Sequence, residues 1–118
     1  MYDEDNPEHV DRCRMLNDHL RNTMGQNDEK NVVMLTVGLR AEGDEFVASA
    51  LTAVREFSDF NEDNDPYLEH DIICVIVDGQ KVMAKIDYYD NDLKFHSPDK
   101  ADPAATKRVL TIMLTSEY

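Results

Sequence analysis

IICVIVDGQKVMAKIDYYD, residues 72–90, decides the fold. Asp78-Gly79 between two apolar runs is a hairpin signal, because both central residues of a type I′ turn need positive φ. Ile72 to Val77 is apolar at every position, which predicts a strand covered on both faces in the middle of a sheet. The return strand alternates instead. Val82, Ala84, Ile86 and Tyr88 fall on one face, and Met83, Lys85, Asp87 and Tyr89 on the other.

Immediately upstream lies SDFNEDNDPYLEHD, residues 58–71, which carries Asp59, Glu62, Asp63, Asp65, Glu69 and Asp71 with no Lys or Arg among them. Six acids in one connection repel each other, so a partner, a cation or a solvation shell must be accounted for. Pro66 holds Asp65 in an extended or turn conformation.

Working towards the N-terminus, the acidic residues 1–5 are expected to fray. Asn6-Pro7-Glu8 predicts a helix start: a capping side chain, a proline in the first turn and an acid at the positive end of the dipole. Val10, Cys13, Leu16, Leu20 and Met24 repeat at helical spacing as far as Gly25. Val32 to Leu39 reads as a strand. Gly43-Asp44 opens a second helix with Phe46, Val47, Ala50, Leu51, Val54 and Phe57 on its buried stripe.

Beyond the hairpin, Asn91-Asp92 predicts a turn and Leu93 to His96 a short third strand. Asp102-Pro103 repeats the cap-then-proline signature. Ala105, Val109, Ile112 and Met113 then fit a last helix, although Val109 to Thr115 would also pass as a strand. The expectation is a single α+β domain over 1–118: an antiparallel β-meander packed by about three helices, in the order α-β-α-β-β-β-α, with the early strand joining the sheet edge.

A chain of 118 residues can bury one ordinary core without staples. Net charge is −13, from 25 Asp plus Glu against 12 Lys plus Arg. That excludes a direct nucleic-acid binder, whose affinity comes from Lys and Arg replacing phosphate counterions. It also disfavours an anionic membrane and favours basic proteins or cations. No run reaches the roughly 20 apolar residues that span a bilayer, and the acidic start lacks the order of a secretory signal. The cytoplasm is therefore expected. Cys13 and Cys74 read as small buried hydrophobes without a disulfide framework, and the scattered Met residues as core filling. Lys107 and Arg108 are too few to make a basic patch.

Asp59, Asn61, Asp63 and Asp65 stand at alternate positions, like the first half of a helix-loop-helix calcium loop. The sixth and twelfth positions, which need Gly and Glu, hold Asn64 and His70, so these four residues are a weak metal candidate beside a solvated acidic turn. No cofactor is expected. An acid/base or metal-dependent enzyme would draw on His70, Asp71, Lys85, Asp87 and Tyr89, on neighbouring strands. No nucleophile, phosphate cradle or oxyanion donor accompanies them, and the plainer reading of Lys85, Asp87 and Tyr89 is a cross-strand charge and hydrogen-bond ladder on a half-exposed face.

The strings LND (16–18), DNDPYLEHD (63–71), VDGQ (77–80), KIDYYD (85–90) and RVLTIML (108–114) together resemble one family, the domain of unknown function family 3768. It comprises small bacterial proteins, common in alphaproteobacteria and their plasmids and phages. The resemblance implies no activity. Leu68 and His96 stand where the pattern has Gly, and Ala84 where it has an aromatic. The mobile-element association implies an accessory or counter-defence role.

The leading functional expectation is a non-enzymatic module presenting an acidic face to a basic protein partner. The face would comprise Asp59, Glu62, Asp63, Asp65, Glu69, Asp71, Asp87, Asp90 and Asp92, with Tyr67 and Tyr89 as aromatic anchors. If that partner normally holds nucleic acid, the chain would act as a nucleic-acid mimic, as anti-CRISPR and anti-restriction inhibitors do. A homo-oligomer through an edge strand is the structural alternative.

Overall fold

The computed structural model describes residues 5–118. Of the residues expected to fray, only Asp5 lies within that range. Helix α1 (Pro7–Thr23) starts as its sequence predicts: the Asn6 carboxamide accepts the Glu8 N–H at 2.9 Å, with Pro7 in the first turn. Its buried side carries Cys13, Asn17, Leu20 and Arg21. Strand β1 (Val32–Leu35) is shorter than expected, because the Thr36 hydroxyl caps a short helix α2 (Val37–Ala41) and makes the buried Leu39 helical. Helix α3 (Asp44–Glu56) follows Gly43, whose φ of +99° suits glycine.

Strands β2 (Ile72–Val77) and β3 (Gln80–Tyr89) form the expected hairpin, with Asp78 and Gly79 both at positive φ. Strand β4 (Lys107–Leu114) then runs antiparallel to β3, and a 3-10 turn (Thr115–Glu117) ends the fold. The sheet order is β1-β4-β3-β2, with β1 parallel to β4. The class is α+β in the expected order, a three-strand meander joined at one edge by the early strand.

Three local expectations are corrected. The segment expected as a last helix is β4, held between β1 and β3, where Val109, Leu110, Ile112 and Met113 are all buried. Its branched residues suit that central position, and the competing strand reading of Val109 to Thr115 prevails. Residues 93–96 form a turn with a single bridge, Tyr89 to His96, because Asp90 accepts the Lys94 N–H and folds the chain back. The continuous apolar run β2 is not in the middle of the sheet. It is an edge strand, with Ile72 43% and Ile76 71% exposed, and Cys74 is exposed as well.

One hydrophobic cluster joins the three helices to one face of the sheet. Cys13, Leu20, Leu39, Phe46, Ala50 and Val54 meet Ile73, Val77, Val82, Ala84, Ile86, Leu110 and Ile112 there. Among the described residues, no helix is long and apolar enough to cross a membrane.

Candidate functional site

The acidic connection between α3 and β2 is folded by its asparagines. Asn61 Oδ1 accepts the N–H groups of Asp63 and Asn64, at 2.8 and 3.0 Å. Asn64 returns the interaction: its Oδ1 accepts the Asn61 N–H at 2.8 Å, and its Nδ2 donates to the Asp59 carbonyl at 2.9 Å. Short amides close such turns because they mimic backbone groups. Asp59, Glu62 and Asp63 are left exposed and make no ion pair among the described residues.

The connection is anchored from within by acids that the sequence placed on its surface. Asp65 is only 4% exposed, and its Oδ1 accepts the His70 N–H at 2.9 Å. His70 in turn lies flat on Phe60, with centroids 3.6 Å apart and an interplanar angle of 5°. Its Nδ1 is 2.8 Å from Asp18 of α1, and its Nε2 is 3.4 Å from Asp65. Arg21 ties α1 to the end of α3, donating to the carbonyls of Val54, Arg55 and Phe57 and to Asp18. A cation on those carbonyls satisfies the last turn of a helix, which has no intrahelical donors.

Deeper inside, Glu69 is also 4% exposed and sits in a polar network with Cys13, Asn17, Tyr88, Lys100 and Arg108. The Tyr88 hydroxyl donates to Glu69 Oε1 at 2.8 Å and accepts from Asn17 Nδ2 at 2.7 Å. Lys100 Nζ pairs with Glu69 Oε2 at 2.7 Å. Arg108 Nε donates to Asn17 Oδ1 at 2.8 Å, and its Nη2 donates to the Lys100 carbonyl. Asn17 Nδ2 also holds the Glu69 carbonyl at 3.0 Å. Buried charge is tolerated here because each member is bonded. Burial pushes the Tyr88 hydroxyl and the Cys13 thiol above their ordinary ranges, so neither ionises as a nucleophile would.

The partner-binding set therefore separates. Asp65 and Glu69 are interior anchors and drop out of any contact face. Asp71 is half-buried beside them. Desolvation first, then the Glu69 and Asp65 charges, push its carboxyl above the usual range. Asp87 is held by Lys85 at 2.9 Å. Asp87 and Tyr89 alternate with the core-facing Ile86 and Tyr88, so they lie on the sheet face away from the helices. Asp90 caps its own turn, and Asp92 is exposed there. Exposed together on the connection remain Asp59, Glu62 and Asp63, followed by Tyr67 at 71% and Leu68 at 57%. Tyr67 and Leu68 border a groove of about 370 Å³ whose other wall is Asp5, Pro7, Val10 and Asp11 at the start of α1.

The five residues of the enzyme alternative are not brought to one point. His70 lies against α1, Asp71 shares the helix-side face with its partner Ile86, and Lys85, Asp87 and Tyr89 face the other way. Asp71 instead lines a hollow of about 410 Å³ with Tyr88, His96, Ser97 and Lys100, which Asp87 and Ile86 border. The weak metal candidate is also corrected. Among the described residues no three His, Cys, Asp or Glu side chains converge as metal ligands, since Asn61 is spent on the turn and Asp65 is turned inward.

Sequence reading missed Asn17, Lys100 and Arg108 as partners of this connection. The signal lay in the strings that carry the family resemblance. LND holds Asn17 and Asp18, DNDPYLEHD holds Asp65, Glu69 and His70, KIDYYD holds Tyr88, and RVLTIML opens on Arg108. These distant strings meet in space. The model of a family described as protein of unknown function (DUF3768) matches residues 35–117, and the chain belongs to that family. No curated protein and no solved structure matches it.

Leu68 adopts φ +61°, a left-handed conformation that glycine takes without strain and a leucine does not. Here the residue is a leucine, more than half exposed at the tip of the connection.

Proposed function

We propose that the chain is a non-enzymatic binding module that docks an acidic, tyrosine-bearing surface onto a basic protein. One observation carries the reading: Asp59, Glu62, Asp63, Tyr67 and Leu68 are exposed on a connection pinned from below by buried Asp65 and Glu69. Anchoring of this kind lowers the entropic cost of binding, because the contact groups are already held in place. Carboxylates without intramolecular partners accelerate encounter with a basic surface, and one aromatic side chain beside them can supply much of the contact energy. An inhibitor acting in the cytoplasm on a protein whose basic surface holds nucleic acid fits this chemistry.

The test is affinity capture on three immobilised baits: the native chain, the Asp59→Lys/Glu62→Lys/Asp63→Lys variant and Tyr67→Ala. Circular dichroism first confirms that each is folded. A protein retained by the native bait alone, eluted by salt and displaced by added DNA or RNA, is the expected result. Identical retention by all three baits, or retention indifferent to salt, overturns the proposal.

A further inference from the structure

The edge of the sheet formed by β2 is a second surface, independent of the acidic connection. The Ile86 N–H donates to the Asp71 carbonyl at 2.8 Å, which makes Asp71 and Ile86 a bonded pair. Bonded and non-bonded pairs alternate along an antiparallel ladder, so Ile73, Val75 and Val77 bond inward to β3. Ile72, Cys74 and Ile76 turn their N–H and C=O groups to the open side. Among the described residues nothing pairs with that side, and none of these groups bonds outside the ladder. The same three side chains are exposed, Ile76 at 71%. Natural edges are usually guarded by a charge, a proline or a bulge. IICVIV has no charge and no proline, and its pairing with β3 is unbroken.

We propose that β2 pairs antiparallel with β2 of a second copy, about a two-fold axis at Cys74, joining two four-stranded sheets into one. The register follows from the outward groups. With Cys74 opposite Cys74 and Ile72 opposite Ile76, all three outward residues form bonded pairs, each exchanging two hydrogen bonds. A shift of two residues in either direction leaves one of the three without an outward-facing mate. A shift of one residue points bonding groups at non-bonding ones.

Charge supports a second copy at this edge over other faces. Two chains at −13 repel, so contact is least costly where carboxylates are absent. On the open sheet face this register gives rows of Lys81, Ile76, Ile72 and Lys85, and of Met83, Cys74, Cys74 and Met83, with no acid in either. Helix α3, which packs on the other face of β2, exposes the small uncharged Ala48, Ser49 and Thr52 in its middle turns.

The electrostatics give a sign that separates this interface from the acidic surface. Screening of the mutual repulsion makes self-association stronger as salt rises, whereas docking on a basic partner weakens.

Sedimentation equilibrium in reductant, over a concentration series at low and raised NaCl, tests the proposal. The native chain should show a monomer–dimer equilibrium that tightens with salt. Ile76→Lys puts a cation at an exposed edge position, and Cys74→Pro deletes one outward N–H without touching the ladder to β3. Each change occurs twice across the two-fold, so each should raise the dimer dissociation constant by about tenfold or more. Far-UV circular dichroism establishes that the variants are folded, and either variant alone suffices. A native chain that stays monomeric at every concentration and salt overturns the proposal. So does a dimer that salt weakens, or one that a folded variant leaves intact.

Discussion

Replacing Tyr88 by phenylalanine removes one oxygen from the middle of the buried network and leaves the ring in place. That hydroxyl donates to the Glu69 carboxylate at 2.8 Å and accepts from Asn17 at 2.7 Å. A hydrogen bond to a buried charge contributes about 1.5–3 kcal/mol. Asn17 keeps the Glu69 carbonyl at 3.0 Å, and Glu69 keeps Lys100 at 2.7 Å, so the network is weakened without being emptied. The expected loss is about 2 kcal/mol, a large share of the roughly 5–15 kcal/mol that holds a small domain. Urea unfolding followed by circular dichroism reads it as a midpoint lowered by roughly 1–2 M, taking a slope of about 1–2 kcal/mol/M. Tyr89→Phe is the matched control: the adjacent residue, on the other face of β3 and half-exposed, should move stability by less than about 0.5 kcal/mol. Glu69→Gln in the Tyr88→Phe background should cost less than it does alone, because the two side chains share one bond. The reasoning is refuted if Tyr88→Phe matches the native midpoint, or if Tyr89→Phe costs as much.

Three further outcomes follow from single contacts. Asp71 has a raised carboxyl pKa in the fold, so the native state holds its proton to higher pH than the unfolded chain does. Stability then falls as pH rises from the ordinary carboxylate range to that raised value, so Asp71→Asn should raise the melting temperature at neutral pH and do nothing in strong acid. A Cβ on Gly38 would lie 2.4–2.7 Å from the Glu117 carboxyl, which accepts from Thr36, Gly38 and Leu114. Gly38→Ala should therefore fail to stabilise the native chain but stabilise Glu117→Ala by about 0.5–1 kcal/mol, the helix preference of alanine over glycine. Chemical denaturation of the four chains shows the change of sign. Leu68→Gly relieves a left-handed leucine and should add about 0.5–1 kcal/mol of stability. It should also weaken capture of any partner that reads the tip of the connection, a combination that loss of fold cannot produce.

The hairpin, both long helices and the α+β class were legible because each rests on a local rule: Asp-Gly at a turn, Asn-Pro at a helix start, apolar residues at helical spacing. The third strand of the meander was harder, since Val109 to Thr115 satisfies helical and extended spacing alike. Its place between β1 and β3 settles the matter through main-chain pairing with residues 32–35 and 82–89. The run Ile72 to Val77 misled for a related reason: an apolar strand looks the same in sequence whether the next strand is present or missing.

By itself, the sequence determined the segments able to form elements, the excess of negative charge and the crowding of acids before β2. Only the tertiary structure decided which acids face water. Asp65 goes inside where it accepts the His70 N–H of its own connection, and Glu69 goes inside because Tyr88, Lys100 and, through Asn17, Arg108 arrive from distant parts of the chain to bond it or its surroundings. Among the described residues Asp59, Glu62 and Asp63 meet no such donors, and they stay outside. Burial of a charge depends on what surrounds it in space, and that information is spread over more than ninety residues of chain, from Asn17 to Arg108.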